Sequence, residues 1–368
     1  MLVPWLAIGC ASAGPSATAV EPSPVAAPSV ASNASATQMA APDAGTVSPA
    51  PVVNVPAPSA TLVDPVAAVL ALDGSASTSV GAPGRGKLTG GVALADAGPG
   101  FVHNPKRPGE ARFGTVEMVQ AIVRAAAEVD KQMPGVPLVV NDIGLAEGGP
   151  IHQHGSHQNG RDADILFYSF DVKGEPLQSV GVPVDPKGLG WDFKDLRVPG
   201  DDVRVKLDAR RTWRFVQALF EVAFDDIQRI FLVEHVRAML LAEAKKQHAP
   251  ARIVERFADI TCQPGAPHDD HMHVRLWCSA EDLAHGCEDK PPLYPWRKQA
   301  LAALGIEPVL AKAATAEDRE AVEARTTSEA EARVEAQKHG PMHAKVRRFL
   351  AEREAWRKQP HPGRTYCR

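Results

Sequence analysis

Between Trp5 and Phe101 the chain carries no aromatic residue, and alanine, proline, serine, valine and glycine fill the interval. No other feature constrains the fold as much. A segment of that composition cannot bury enough apolar surface to offset the entropy lost on ordering, so disorder is expected. What remains is one globular unit of roughly 200 residues, which is ample for a hydrophobic core. The expected linker covers residues 11–83 and ends where GRGKLTGGVAL, from Gly84, brings glycines and the first basic side chains.

Residues 1–10, MLVPWLAIGC, form a short apolar run closing on Cys10, and Leu-Ala-Ile-Gly-Cys resembles a bacterial lipoprotein signal. The basic region that opens a secretory signal is missing, which a true start upstream of Met1 would account for. Export to the periplasm and lipid attachment at Cys10, at the outer membrane, are the expectations. No segment approaches the roughly 18 apolar residues of a membrane helix, so the acyl chain would anchor without spanning. Four further cysteines, Cys262, Cys278, Cys287 and Cys367, make an even number, which in an exported chain points to two disulfides. A bridge from Cys278 to Cys287 would close a short polar loop, and Cys262 with Cys367 would then tie back the C-terminal end. Sequence leaves that connectivity open. The net charge of −4 and the absence of a basic stripe with interleaved aromatics exclude a nucleic-acid partner.

Hydrophobic periodicity predicts a helix over residues 115–131, strands over 137–143 and 162–168, a helix over 213–224 and a strand over 227–234. A helix over 235–246 and a strand over 271–277 follow. Residues 301–368 read as a charged helical extension, broken at Gly340-Pro341 and facing solvent as an accessory arm. The fold class is therefore α+β: a small, largely antiparallel sheet flanked by helices, within a domain of residues 84–300.

Six of the thirteen histidines fall in two clusters, His152, His154 and His157 in IHQHGSHQNGRDADI and His268, His271 and His273 in HDDHMHVRL. Residues two apart on a strand share a face. His271 and His273 therefore point together, as do Asp162 and Asp164. His157 precedes Asp164 by seven residues across Gly160. A histidine entering one strand, an aspartate within it and a histidine from a neighbour can converge on one ion. Zinc takes such ligands, and catalytic sites keep three protein ligands and an open position.

GGPIHQHGSHQNGRDADI and HDDHMHVRLWC resemble the signatures of the penicillin-insensitive murein endopeptidases, over about residues 84–290. More broadly they are similar to zinc peptidases related to D-alanyl-D-alanine dipeptidases, lysostaphin-type enzymes and the hedgehog amino-terminal domain. The resemblance implies Zn2+ held by His157, Asp164 and His273, with His271 as general base for a zinc-bound water. It places His154 and His268 at the site, orienting the base or stabilising the oxyanion, and Asp162 as a supporting contact. His152 has no counterpart. The implied substrate is peptidoglycan, cut at D-alanyl–meso-diaminopimelyl cross-links. The segment CQPGAPH before the second cluster departs from the family, which carries bulky aromatics there. Trp191 and Trp213 could line a cleft or sit in the core. Alternatives are a D,D-carboxypeptidase or other cell-wall zinc peptidase, and a non-catalytic wall-binding lipoprotein. Oligomeric state is not legible.

Overall fold

The computed structural model describes residues 64–326 apart from 153 and 266–267, and then residues 340–358 and Cys367. The signal-like segment, Cys10 and the linker as far as residue 63 lie outside the described residues, as does part of CQPGAPH. No helix among the described residues is long and apolar enough to cross a membrane.

A seven-stranded sheet organises the domain. Its strands lie in the order Thr261–Cys262, Ile227–Phe231, His271–Leu276, Asp162–Leu166, Leu138–Val140, Phe101–His103 and Ala97–Gly98. Four of its six pairings are antiparallel and two are parallel, so the largely antiparallel α+β expectation matches what forms. Alternation sorts each strand. Ala163, Ile165, Met272, Val274 and Leu276 enter the main core, which they share with residues of the helices Val116–Gln132, Ala209–Ala223, Glu234–Lys246 and Ala251–Ile260. The first of these helices starts at Thr115, whose hydroxyl accepts from the Met118 N–H, and the second at Asp208, whose carboxylate accepts from the Arg211 N–H. Such caps satisfy amides that the first helical turn leaves without partners. Trp213 lies in this core, fully buried.

The linker is shorter than composition indicates. Pro65–Leu70 is a helix, and Thr78–Ala82 pairs with Arg85–Thr89 across a Pro83-Gly84 turn. Ser79 is fully buried, with its N–H donating to Asp282 at 2.7 Å. The small residues that read as linker are what let this hairpin lie close. At Gly81, with φ +72°, a Cβ would meet the Arg85 carbonyl oxygen at 2.6 Å.

The C-terminal extension is not simply an exposed arm. In the helix Ala344–Lys358, Val346, Phe349, Arg353 and Trp356 are buried, and Phe193 and Trp191 pack against this cluster. Their spacing of three, four and three residues makes one stripe on a helix. The surrounding charge hides that stripe in the sequence. The surface beneath belongs to a second, four-stranded sheet containing Leu189–Asp192 and Val203–Leu207. Lys345 pairs with the buried Asp202 at 2.7 Å and sits over the Trp191 ring. Both expected disulfides form, Cys278–Cys287 and Cys262–Cys367. The latter spans 105 residues. In the chain-entropy picture, closing a loop of that size stabilises by about 4–5 kcal/mol.

Candidate metal centre

The two histidine clusters meet on the sheet face opposite the core. His273 lies directly across from Asp164 in the antiparallel register, and Arg275 across from Asp162. The first cluster arrives on the loop before the Asp162–Leu166 strand and turns through His157, at φ +67°. That conformation is uncommon for a residue with a side chain and is held only where neighbours enforce it. Here the His157 N–H donates to Asp162 Oδ2 at 3.1 Å. Gly160, at φ +75°, brings the loop against Leu88, where a Cβ would stand 2.8 Å away.

Four imidazoles surround the Asp164 carboxylate. The nearest are His273 Nδ1 at 3.1 Å, His157 Nε2 at 3.4 Å and His271 Nε2 at 3.4 Å from Oδ1, and His154 Nδ1 at 3.6 Å from Oδ2. Each ring meets an acceptor through its other nitrogen. His157 Nδ1 donates to the Ile143 carbonyl at 3.0 Å, and His273 Nε2 lies 2.8 Å from Asp162. His154 Nε2 lies 2.8 Å from Asp142, and His271 Nδ1 lies 2.7 Å from Asp270. An outer acceptor fixes which nitrogen of a neutral imidazole carries the proton, leaving a lone pair on the nitrogen that faces inward. Four inward lone pairs and one carboxylate are the donor set of a cation site. His157 Nε2 and Asp164 Oδ1 are moreover buried without a hydrogen-bond partner, an unfavourable arrangement that a coordinated cation would relieve.

Electrostatics agree with the geometry. Burial alone would raise the Asp164 carboxyl, yet His271 and then His157 hold it well below the usual carboxylate range. Burial would likewise disfavour charge on His271, but Asp164 and Asp270 raise it well above an ordinary histidine. Asp162 is held low against its own burial by Arg275 first and His273 next. The site therefore favours one positive charge beside Asp164, whether proton or metal.

Depth divides the four rings. His157 and His273 are buried, while the side chains of His154 and His271 keep 17% and 21% of their surface exposed. The ligand atoms of His154, His157 and Asp164 lie within 4.8 Å of one another. Among the described residues these three form the compact donor group; His273 is not part of it, although its Nδ1 lies 3.1 Å from Asp164 Oδ1. His268, at φ +48°, has its ring centroid 4.8 Å from His271 and 5.5 Å from His273. His152 is exposed on a turn. Trp191 packs under the C-terminal helix.

Asp162, expected as a supporting contact, does hold the His273 ring, but sequence reasoning missed Asp142 and Asp270, which hold His154 and His271. Asp142 follows a buried apolar strand and also pairs with Arg107. Asp270 directly precedes His271. Arg275, whose Nε donates to Asp162 at 2.6 Å, follows His273 by two residues, so strand parity alone would have found it.

The description penicillin-insensitive murein endopeptidase belongs to the family that matches residues 79–300. A protein of that name from Klebsiella pneumoniae subsp. pneumoniae is 29% identical over 226 residues, covering 60% of this chain and 73% of its own. Another from Pectobacterium atrosepticum is 29% identical over 189 residues, covering 49% of this chain and 58% of its own. A third, from Salmonella heidelberg, is 28% identical over 184 residues with the same coverage. The family match takes in both histidine clusters and every strand of the central sheet. The chain belongs to the penicillin-insensitive murein endopeptidase family.

Proposed function

We propose that the chain is a zinc-dependent endopeptidase that hydrolyses D-alanyl–meso-diaminopimelyl cross-links in peptidoglycan. The carrying observation is the difference in depth among the four rings around Asp164. The buried His157 and His273, with Asp164, would hold Zn2+, and the part-exposed His271 and His154 face the side that substrate and water reach. A cation held there would polarise the scissile carbonyl and lower the pKa of water to near neutrality.

The chain's own groups supply the proton traffic. His271, oriented by Asp270, takes a proton from the attacking water at Nε2 and delivers it to the leaving amine. His154, fixed by Asp142 through Nε2, would stabilise the oxyanion as the imidazolium, donating from Nδ1, and His268, beside His271, could serve the same task. Asp162 holds His273 in orientation and the His157 backbone in place. No serine nucleophile takes part, so β-lactams leave the enzyme unacylated.

The clustering of His154 with His157 and Asp164 favours a second ligand set, and two variants separate them. With His273 as ligand, His273→Ala loses zinc, whereas His154→Ala keeps zinc and loses rate. The reverse pattern selects His154. The reaction itself is tested by incubating the zinc-loaded chain with cross-linked muropeptide dimers. Conversion of dimer to monomer without release of terminal D-alanine is the expected result. Release of D-alanine alone would mean a carboxypeptidase, and binding without turnover a wall-binding protein. The substrate places the action outside the cytoplasm, where disulfides persist. We propose a periplasmic domain held by a lipid on Cys10, which loss of acyl labelling in Cys10→Ser would support.

A further inference from the structure

The C-terminal helix lies beyond the family-matched residues, yet its side chains reach the second histidine cluster. Arg353, buried on that helix, donates from Nε to Asp269 Oδ2 at 2.9 Å and from Nη2 to Asp269 Oδ1 at 2.6 Å. Trp356 Nε1 lies 3.4 Å from the same carboxylate. Asp269 is fully buried and sits between His268 and Asp270. Around it the backbone is pinned on two sides. The Val233 N–H donates to the His268 carbonyl and the Val184 N–H to the Asp269 carbonyl. One turn of three residues thus carries His268 at positive φ, the clamped Asp269, and Asp270, the acceptor for His271 Nδ1. The Cys262–Cys367 disulfide closes the other end of this loop, where the Cys367 N–H donates to the Gln263 carbonyl.

A helix that only needed to cover apolar surface would have no use for a buried guanidinium. Desolvating an ion pair costs about as much as the pair returns, so such pairs are weak stabilisers. What a two-pronged guanidinium–carboxylate contact does supply is direction, because both bonds must align together.

We propose that Arg353 is a positioning residue for the hydrolysis: by clamping Asp269 it fixes the turn that presents His268 and His271 to Asp164. The proposal rests on the function assigned above. The full zinc-loaded chain is assayed on cross-linked muropeptide dimers as wild type and as Arg353→Lys, Arg353→Met, Asp269→Asn, Arg353→Met/Asp269→Asn and Arg348→Met. Arg348, exposed on the same helix, is the control. Arg353→Met should lower kcat by roughly 10–100-fold, the usual effect of losing a group that orients a metal-site ring, with KM and zinc stoichiometry unchanged. Arg353→Lys should recover only part of the rate, since a point charge cannot replace the fork. The double variant leaves no unpaired buried charge, so it should recover melting temperature without recovering kcat. If Arg353→Met does not fold, the double variant and Arg353→Lys decide. A folded Arg353→Met with wild-type kcat overturns the proposal, as does recovery of both properties in the double variant. Should the wild type cleave no dimer, the assigned reaction fails, and amide exchange at residues 269–271 then decides the clamp. Faster exchange there in Arg353→Met than in Arg348→Met supports it, and equal exchange overturns it.

Discussion

On the paired strands Asp162–Leu166 and His271–Leu276, Ala163, Ile165, Met272, Val274 and Leu276 enter the core, while Asp162, Asp164, His271, His273 and Arg275 face the site. The two sets alternate along the same backbone and are held by different physics. The core set needs only area removed from water, and about 25 cal/mol per Å² suffices without direction. Apart from the part-exposed His271 the site set is also buried, so each charge requires a directed partner, and Asp162 alone serves His273, Arg275 and the His157 amide. Stability therefore resides in the first face and chemistry in the second. Substitutions on the two should separate in turnover per folded molecule.

The largest expected effect comes from His273→Ala, which should remove both bound zinc and hydrolysis while the chain stays folded. Metal analysis beside muropeptide turnover checks this, and retention of full activity would refute the ligand assignment. Next, Ile165→Ala on the core face should cost about 2–5 kcal/mol of stability, read by denaturant unfolding, with turnover per folded molecule preserved. A selective loss of turnover there would break the division between faces. Asp162→Asn should follow, lowering zinc affinity or kcat by roughly 10–100-fold, with a fall in melting temperature as well because Arg275 loses its buried charged partner. Unchanged zinc affinity and unchanged turnover per folded molecule would instead assign Asp162 to the scaffold.

The smallest effect is in pH. In the metal-free protein the raised pKa of His271 means its stabilising contribution is complete below its ordinary value of 6.5 and fades as pH rises through the raised one. A cation replaces that proton, so zinc binding should release protons, and the melting-temperature gap between zinc-loaded and metal-free protein should widen from about pH 6 to pH 9. A gap that narrows over that range would mean that zinc does not displace this proton.

Much of the site was legible because strand parity is a local property. HMHVRL pairs His271 with His273, and DADIL pairs Asp162 with Asp164, whatever the rest of the chain does. Helices such as Val116–Gln132 were legible for the same reason, since their stripe repeats every three to four residues. The hairpin at residues 78–89 was not, because Ser79 and Gly81 look like linker until a neighbour lies against them. Arg353 carried no signal at all. Within a run of charges its burial depends on Asp269, which lies 84 residues earlier.

By itself, then, the sequence determined which side chains share a face and which chemistry they carry, because alternation and ligand type are written in adjacent residues. The division of four equivalent-looking histidines into two buried and two open ones was decided only by the tertiary structure. So was the clamping of the second cluster by a helix outside the family-matched segment. Depth and clamping both depend on which distant elements pack over a residue, and no local pattern encodes that.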